Sequence, residues 1–82
     1  MHADHIRGLI LAAMPDADVR VSGADGVHFE AEVVSPVFAG LRPLQRHRLI
    51  YAALGDLMGG AIHALALKTL TPEERSGVAT DS

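Results

Sequence analysis

Two short runs in which polar and apolar residues alternate, Asp18 to Ser22 and Val27 to Val34, stand on either side of Gly23-Ala24-Asp25-Gly26. Nothing else in the chain restricts its fold so strongly. A period of two puts Val19, Val21, Val27, Phe29, Ala31 and Val33 on one face and Arg20, His28, Glu30 and Glu32 on the other, the pattern of strands half-buried against a core. Asp-Gly with a flanking Gly supplies the positive-φ positions that a tight hairpin turn requires. The two runs are therefore expected to pair antiparallel, in a register that sets Arg20 near Glu30.

The flanking segments read as helices and one more strand. Ile6, Leu9, Ile10 and Ala13 recur at i, i+3, i+4 and i+7, which predicts an amphipathic helix from Ala3 to Met14, stopped by Pro15. Ser35-Pro36-Val37-Phe38-Ala39-Gly40 is a single capped turn with Phe38 as its anchor. Pro43 opens a longer helix whose core-facing stripe is Leu44, Ile50, Leu54, Leu57 and Met58, with Gly59-Gly60 as its stop. The apolar run from Ile62 to Leu70 has the length of a buried strand. Thr71-Pro72-Glu73-Glu74 carries a capping box that starts a last helical turn, so residues 1–75 form one domain and 76–82 a flexible C-terminal tail.

This order, α-β-β-α-α-β(-α), implies an α/β (α+β) fold of two layers: a three-stranded mixed sheet with helices on one face. A strand, crossover helix and strand in one sheet run parallel with a right-handed connection. Val27–Val34 and Ile62–Thr69 then start at the same end of the sheet, which gathers the Gly23–Gly26 turn, His28 and His63. His47, near the start of the crossover helix, lies roughly 16 Å away along that helix, so His47 and His63 belong to two separate candidate sites.

Composition narrows the function. An 82-residue domain has one thin core and little interior for an enclosed active site. No Ser/His/Asp ordering, phosphate loop or full set of metal ligands is present, so the expectation is a protein that is not an enzyme. With no cysteine, the chain has neither disulfides nor a thiolate metal site of its own, and any iron–sulfur chemistry needs a partner's sulfur. No run approaches a membrane span or a signal segment, which points to the cytoplasm. A net charge of −3 argues against nucleic-acid binding over the whole surface but leaves room for a local basic patch.

Two sets of residues carry candidate chemistry. His63 shares its row with Leu65 and Leu67, at the edge of the core. It is either a half-buried histidine bonded to a backbone group or an imidazole offered as a metal ligand, with Asp25 and His28 as its nearest companions. Asp25 can equally be a turn-former and His28 an exposed strand residue. Arg42, Arg46, His47 and Arg48 crowd a helix start, where they form either a phosphate-contacting patch or a solvated face with His47 packed on Tyr51. Gly23-x-x-Gly26 matches the spacing of a nucleic-acid-binding GxxG loop, but it lies in a hairpin beside an aspartate that would repel a phosphate.

Several stretches together resemble the BolA family, in its BolA and IbaG branches: Val27-His28-Phe29-Glu30-Ala31-Glu32-Val33, Phe38-Ala39-Gly40, Arg46-His47-Arg48-Leu49-Ile50-Tyr51-Ala52-Ala53-Leu54, and Ile62-His63-Ala64-Leu65-Ala66-Leu67-Lys68-Thr69 followed by Thr71-Pro72-Glu73-Glu74. The resemblance implies a class II KH-like fold. It further implies an adaptor that pairs with a monothiol glutaredoxin to bind or transfer a [2Fe–2S] cluster, in cluster maturation or iron-dependent regulation. The glutaredoxin cysteine and glutathione would hold one iron, and a histidine at His63 would come from this chain, which alone binds no cofactor. A second ligand in the family often comes from the hairpin loop, where this chain has Asp25. A carboxylate is a harder, poorer partner for cluster iron than sulfur or imidazole, so either cluster binding is weaker than elsewhere in the family or His28 is the substitute. The rival implied by the same resemblance is a DNA-binding transcriptional regulator acting through Arg42, Arg46, His47 and Arg48. A third is a docking module that needs no cluster. Alone, the chain is expected to be a monomer or weak homodimer.

Overall fold

A computed structural model describes residues 2–23, 25–58, 60, 62 and 64–77. His63 and residues 78–82, part of the stretch 76–82 read from the sequence as a tail, lie outside the described residues. The elements follow the expected order: α1 (Ala3–Ala13), β1 (Asp18–Ser22), β2 (His28–Val34), a 3-10 turn (Pro36–Phe38), α2 (Pro43–Leu54), a second 3-10 turn (Gly55–Leu57), β3 (Ala64–Leu70) and α3 (Pro72–Ser76). The sheet runs β1-β2-β3, antiparallel between β1 and β2 and parallel between β2 and β3. This is the mixed α+β sheet that the crossover argument required.

The helices cover one face. Ile6 and Ile10 of α1 and Ile50 and Leu54 of α2 are buried with Val19, Phe29 and Val33 of the sheet. Each such side chain contributes about 1.5–3 kcal/mol when fully withdrawn from water. Phe38 is completely buried, and the Ser35 hydroxyl accepts from the Val37 N–H, so the short turn plugs the core from below. Alternation along β2 leaves His28 and Glu30 exposed on the opposite, open face. A depression there is bounded by Arg20, Glu30, Glu32 and Lys68.

Four sequence expectations need correction. Arg20 pairs with Glu32, not Glu30, and Ser22 takes the place opposite Glu30. Seven residues, 23 to 29, lie between the paired Ser22 and Glu30, so the register moves by two and every side chain keeps its face. Val27, assigned to the core row, is left outside the strand and exposed. The helix does not run to Gly59-Gly60: it stops at Leu54 because Gly55 takes φ 58°, a left-handed value that costs glycine little. The following 3-10 turn still presents Leu57 and Met58 to the core. Leu44, by contrast, is 61% exposed in the first turn of α2 and is no part of the stripe.

Candidate functional site

At the end of the sheet where β2 and β3 begin, the hairpin loop is organised by one carboxylate. Asp25 Oδ1 accepts from the backbone N–H groups of Val27 at 3.0 Å and His28 at 2.8 Å. Its Oδ2 lies 2.6 Å from Nδ1 of the His28 imidazole. The His28 N–H, the His28 ring and the Val27 N–H, in that order, hold the Asp25 carboxyl well below the usual carboxylate range. An ionised carboxylate only accepts, so Nδ1 carries a proton and donates; whenever the ring is neutral, the lone pair is on Nε2. A carboxylate behind an imidazole in this way is the usual support for a metal-ligating histidine.

His28 is the register partner of Ala64, and Glu30 that of Ala66. The two alanines leave a shallow depression of about 410 Å³ beside His28. Ile62, two residues before β3, is fully buried and bonds through its N–H to the Leu57 carbonyl. The chain is thereby anchored just ahead of the position that carries His63, which itself lies outside the described residues. Among the described residues, no three His, Cys, Asp or Glu side chains gather to hold a metal ion. Among the described residues this end presents the His28 imidazole, the saturated Asp25 carboxylate and the exposed Glu30, and a chain without cysteine can offer nitrogen to a metal but no thiolate.

The basic start of α2 divides into inside and outside. Arg46 turns inward and is 8% exposed. Its Nε donates to the Leu41 carbonyl at 3.0 Å and its Nη1 to the Thr69 carbonyl at 3.1 Å. Nη1 and Nη2 also grip Glu74 Oε1 and Oε2 at 2.7 and 3.3 Å. The guanidinium carbon sits 5.7 Å from the centre of the Phe38 ring, within cation–π range. The Arg46 guanidinium, and then the Thr71 N–H, keep the Glu74 carboxyl below its ordinary value. All of this ties α2, the Phe38 turn, β3 and α3 together. Arg42 and Arg48 remain exposed, and His47 makes an edge contact to Tyr51 with ring centres 6.4 Å apart. Only two of the three arginines expected at a phosphate are thus on the surface. Glu74 is the residue that sequence reasoning passed over: its capping-box role was legible, its grip on Arg46 was not.

The BolA-like protein family model matches residues 1–74. The chain belongs to the BolA family. A BolA homologue from Coxiella burnetii has the same fold, with TM-score 0.81 and 44% identity, over 93% of this chain and 97% of that one. Human BolA-like protein 1 is 55% identical over 47 residues, which are 57% of this chain and 34% of the human protein. The Vibrio cholerae DNA-binding transcriptional regulator BolA is 53% identical over 47 residues, 57% of this chain and 44% of that regulator. The BolA chain described here therefore matches less than half the length of these curated relatives. Among its described residues no helix is long and apolar enough to cross a membrane.

Proposed function

We propose that this BolA-family chain is a non-enzymatic adaptor that joins a monothiol glutaredoxin and supplies nitrogen ligands, His63 foremost, to a shared [2Fe–2S] cluster carried as cargo. The observation that supports this most is the Asp25–His28 pair: an oriented, exposed imidazole at the end of the sheet where β3 begins. A cysteine-free chain fits a partner that brings the thiolates, its own cysteine and glutathione. The test is a visible absorption and circular dichroism titration of the protein into cluster-loaded monothiol glutaredoxin with glutathione. A new mixed-ligand spectrum is expected with wild type and is lost with His63→Ala, whose far-ultraviolet spectrum stays native. A detectable complex without any spectral change would mean docking without ligation.

The second reading, a DNA-binding regulator, is favoured by the names of the bacterial relatives in Vibrio cholerae and Haemophilus influenzae. It rests here on Arg42, His47 and Arg48, because Arg46 is engaged within the fold. Failure to form any complex with the glutaredoxin would bring it forward.

A further inference from the structure

The sheet ends on two edge strands, β1 and β3, and the two edges are protected unequally. In the parallel pairing of β2 with β3 the Ser35 N–H donates to the Leu70 carbonyl. Leu70 and every second residue before it, Lys68, Ala66 and Ala64, therefore turn their backbone groups toward β2. Leu65, Leu67 and Thr69 turn theirs outward. Arg46 Nη1 covers the Thr69 carbonyl, but among the described residues nothing covers the outward N–H and C=O groups of Leu65 and Leu67. On β1 the Arg7 Nε–H occupies the outward Val19 carbonyl, and Asp18 and Arg20 place charge along its five residues. β3 has seven residues and a single charge, Lys68, which leans back toward β2 with its Nζ 3.9 Å from Glu32 Oε2. No proline and no charge stands between Ala64 and Leu67, so the usual guards of a free edge are missing there. The Leu65 and Leu67 side chains are half-buried against the core, and Ala64 and Ala66 are exposed on the open face.

We propose that two copies of the chain join at this edge, β3 against β3 in antiparallel order about a two-fold axis through Ala66. A two-fold contact must match a surface to itself, and this edge does. With Ala66 facing Ala66 of the second copy, Leu65 faces Leu67 and Leu67 faces Leu65, as pairs that exchange both of their backbone hydrogen bonds. The open groups are used in full, and Thr69, already held by Arg46, falls outside these pairs. Leucine then lies beside leucine on the helix side and alanine beside alanine on the open face. Lys68 faces Ala64 of the second copy, which sets the two lysines four residues apart along the seam. That is about 13 Å, beyond the reach of exposed like charges in physiological salt. A strand of this length spans about 23 Å, and its seam covers well under the roughly 800 Å² per partner of a standard interface. The pair is therefore weak and forms at high protein concentration. It does not depend on the adaptor function.

The experiment follows the full chain by sedimentation velocity and by nitrogen-15 amide spectra from about 10 μM to about 1 mM. Wild type is expected to rise from monomer toward dimer mass. The amide signals of Leu65 and Leu67 should move with concentration, while those of Val19 and Val21 on the opposite edge stay fixed. Ala66→Lys and Ala66→Glu each place two like charges face to face at the axis, on a position that is exposed in the single chain. Each variant should associate at least tenfold more weakly, with its melting temperature close to that of wild type. An equimolar mixture of the two should associate again, because a lysine then faces a glutamate.

A wild-type chain that stays monomeric across the whole range overturns the proposal and leaves the edge to an extended strand from another protein. Association that both charge variants retain puts the contact on a different surface and overturns it as well. A mixture that fails to restore what the single variants lose shows that Ala66 does not face Ala66, and the two-fold pairing is then wrong. Should either variant fail to fold, the wild-type amide map decides: concentration-dependent shifts at Leu65 and Leu67 uphold the seam, and shifts confined to β1 or α2 refute it.

Discussion

Arg46 shows how little a side chain's charge says about its place. Its four bonds end on Leu41, Thr69 and Glu74, groups otherwise left in a half-dry corner, and its planar fork fits the carboxylate on both nitrogens. Arg46→Ala is expected to cost about 2–4 kcal/mol, because it leaves two carbonyls unpaired and the carboxylate with the Thr71 N–H but no counter-charge. Arg46→Lys keeps the charge, loses the fork and should cost about 1–2 kcal/mol. Urea unfolding midpoints at constant m check both, and a loss under 0.5 kcal/mol for the alanine variant would contradict the assigned role. Glu74 adds a pH signature. Its folded value is lowered, so its contribution is complete above the ordinary glutamate range near 4.3 and disappears as pH falls through the depressed value. Thermal melts between pH 7 and 3 should show wild type falling in the acid range. Glu74→Gln should start lower at pH 7 and fall less, and parallel curves would show that the pairing carries no pH dependence.

At the scale of elements, what was legible in the sequence is what local chemistry writes. A period of two, a period of 3.6 and the punctuation of Gly and Pro are set by near neighbours, so α1, the hairpin, the Ser35 turn, the parallel return of β3 and the capping box could all be read. Register and helix length depend on distant surfaces and were read less well. The stripe through Leu57 and Met58 looked like a continuing helix because the 3-10 turn after Gly55 keeps both facing inward. Arg46 stood between two similar residues, and its partners lie 23 and 28 positions along the chain, beyond any local pattern. The hairpin itself is tightly made. A Cβ on Gly23 would come within 2.3 Å of the Phe29 ring, which is 2% exposed and cannot retreat into solvent. Gly23→Ala should therefore destabilise by about 1–3 kcal/mol. It should also disturb the Asp25–His28 bond, visible as a change in the His28 ring nitrogen shifts. A neutral effect on both would mean that the loop has room the packing denies.

For the whole molecule, the balance of charge bears on which partner is met. The chain carries −3 overall, and the exposed arginines at the start of α2 are Arg42 and Arg48. If it binds duplex DNA there, two phosphate contacts give a salt slope near −1.8, or about a tenfold loss of affinity between 50 and 200 mM salt. Arg42→Ala with Arg48→Ala should flatten that slope, and an unchanged slope would place the contact elsewhere. A further consequence follows from the clasp between Arg46 and Glu74, which joins the middle of the chain to nearly its last described residues. During synthesis the guanidinium must wait, without its counter-charge, until Glu74 has been added. A polypeptide interrupted after β3 lacks Glu74 and keeps the Arg46 guanidinium without its counter-charge, so it is expected to be less stable and more readily degraded than the full domain.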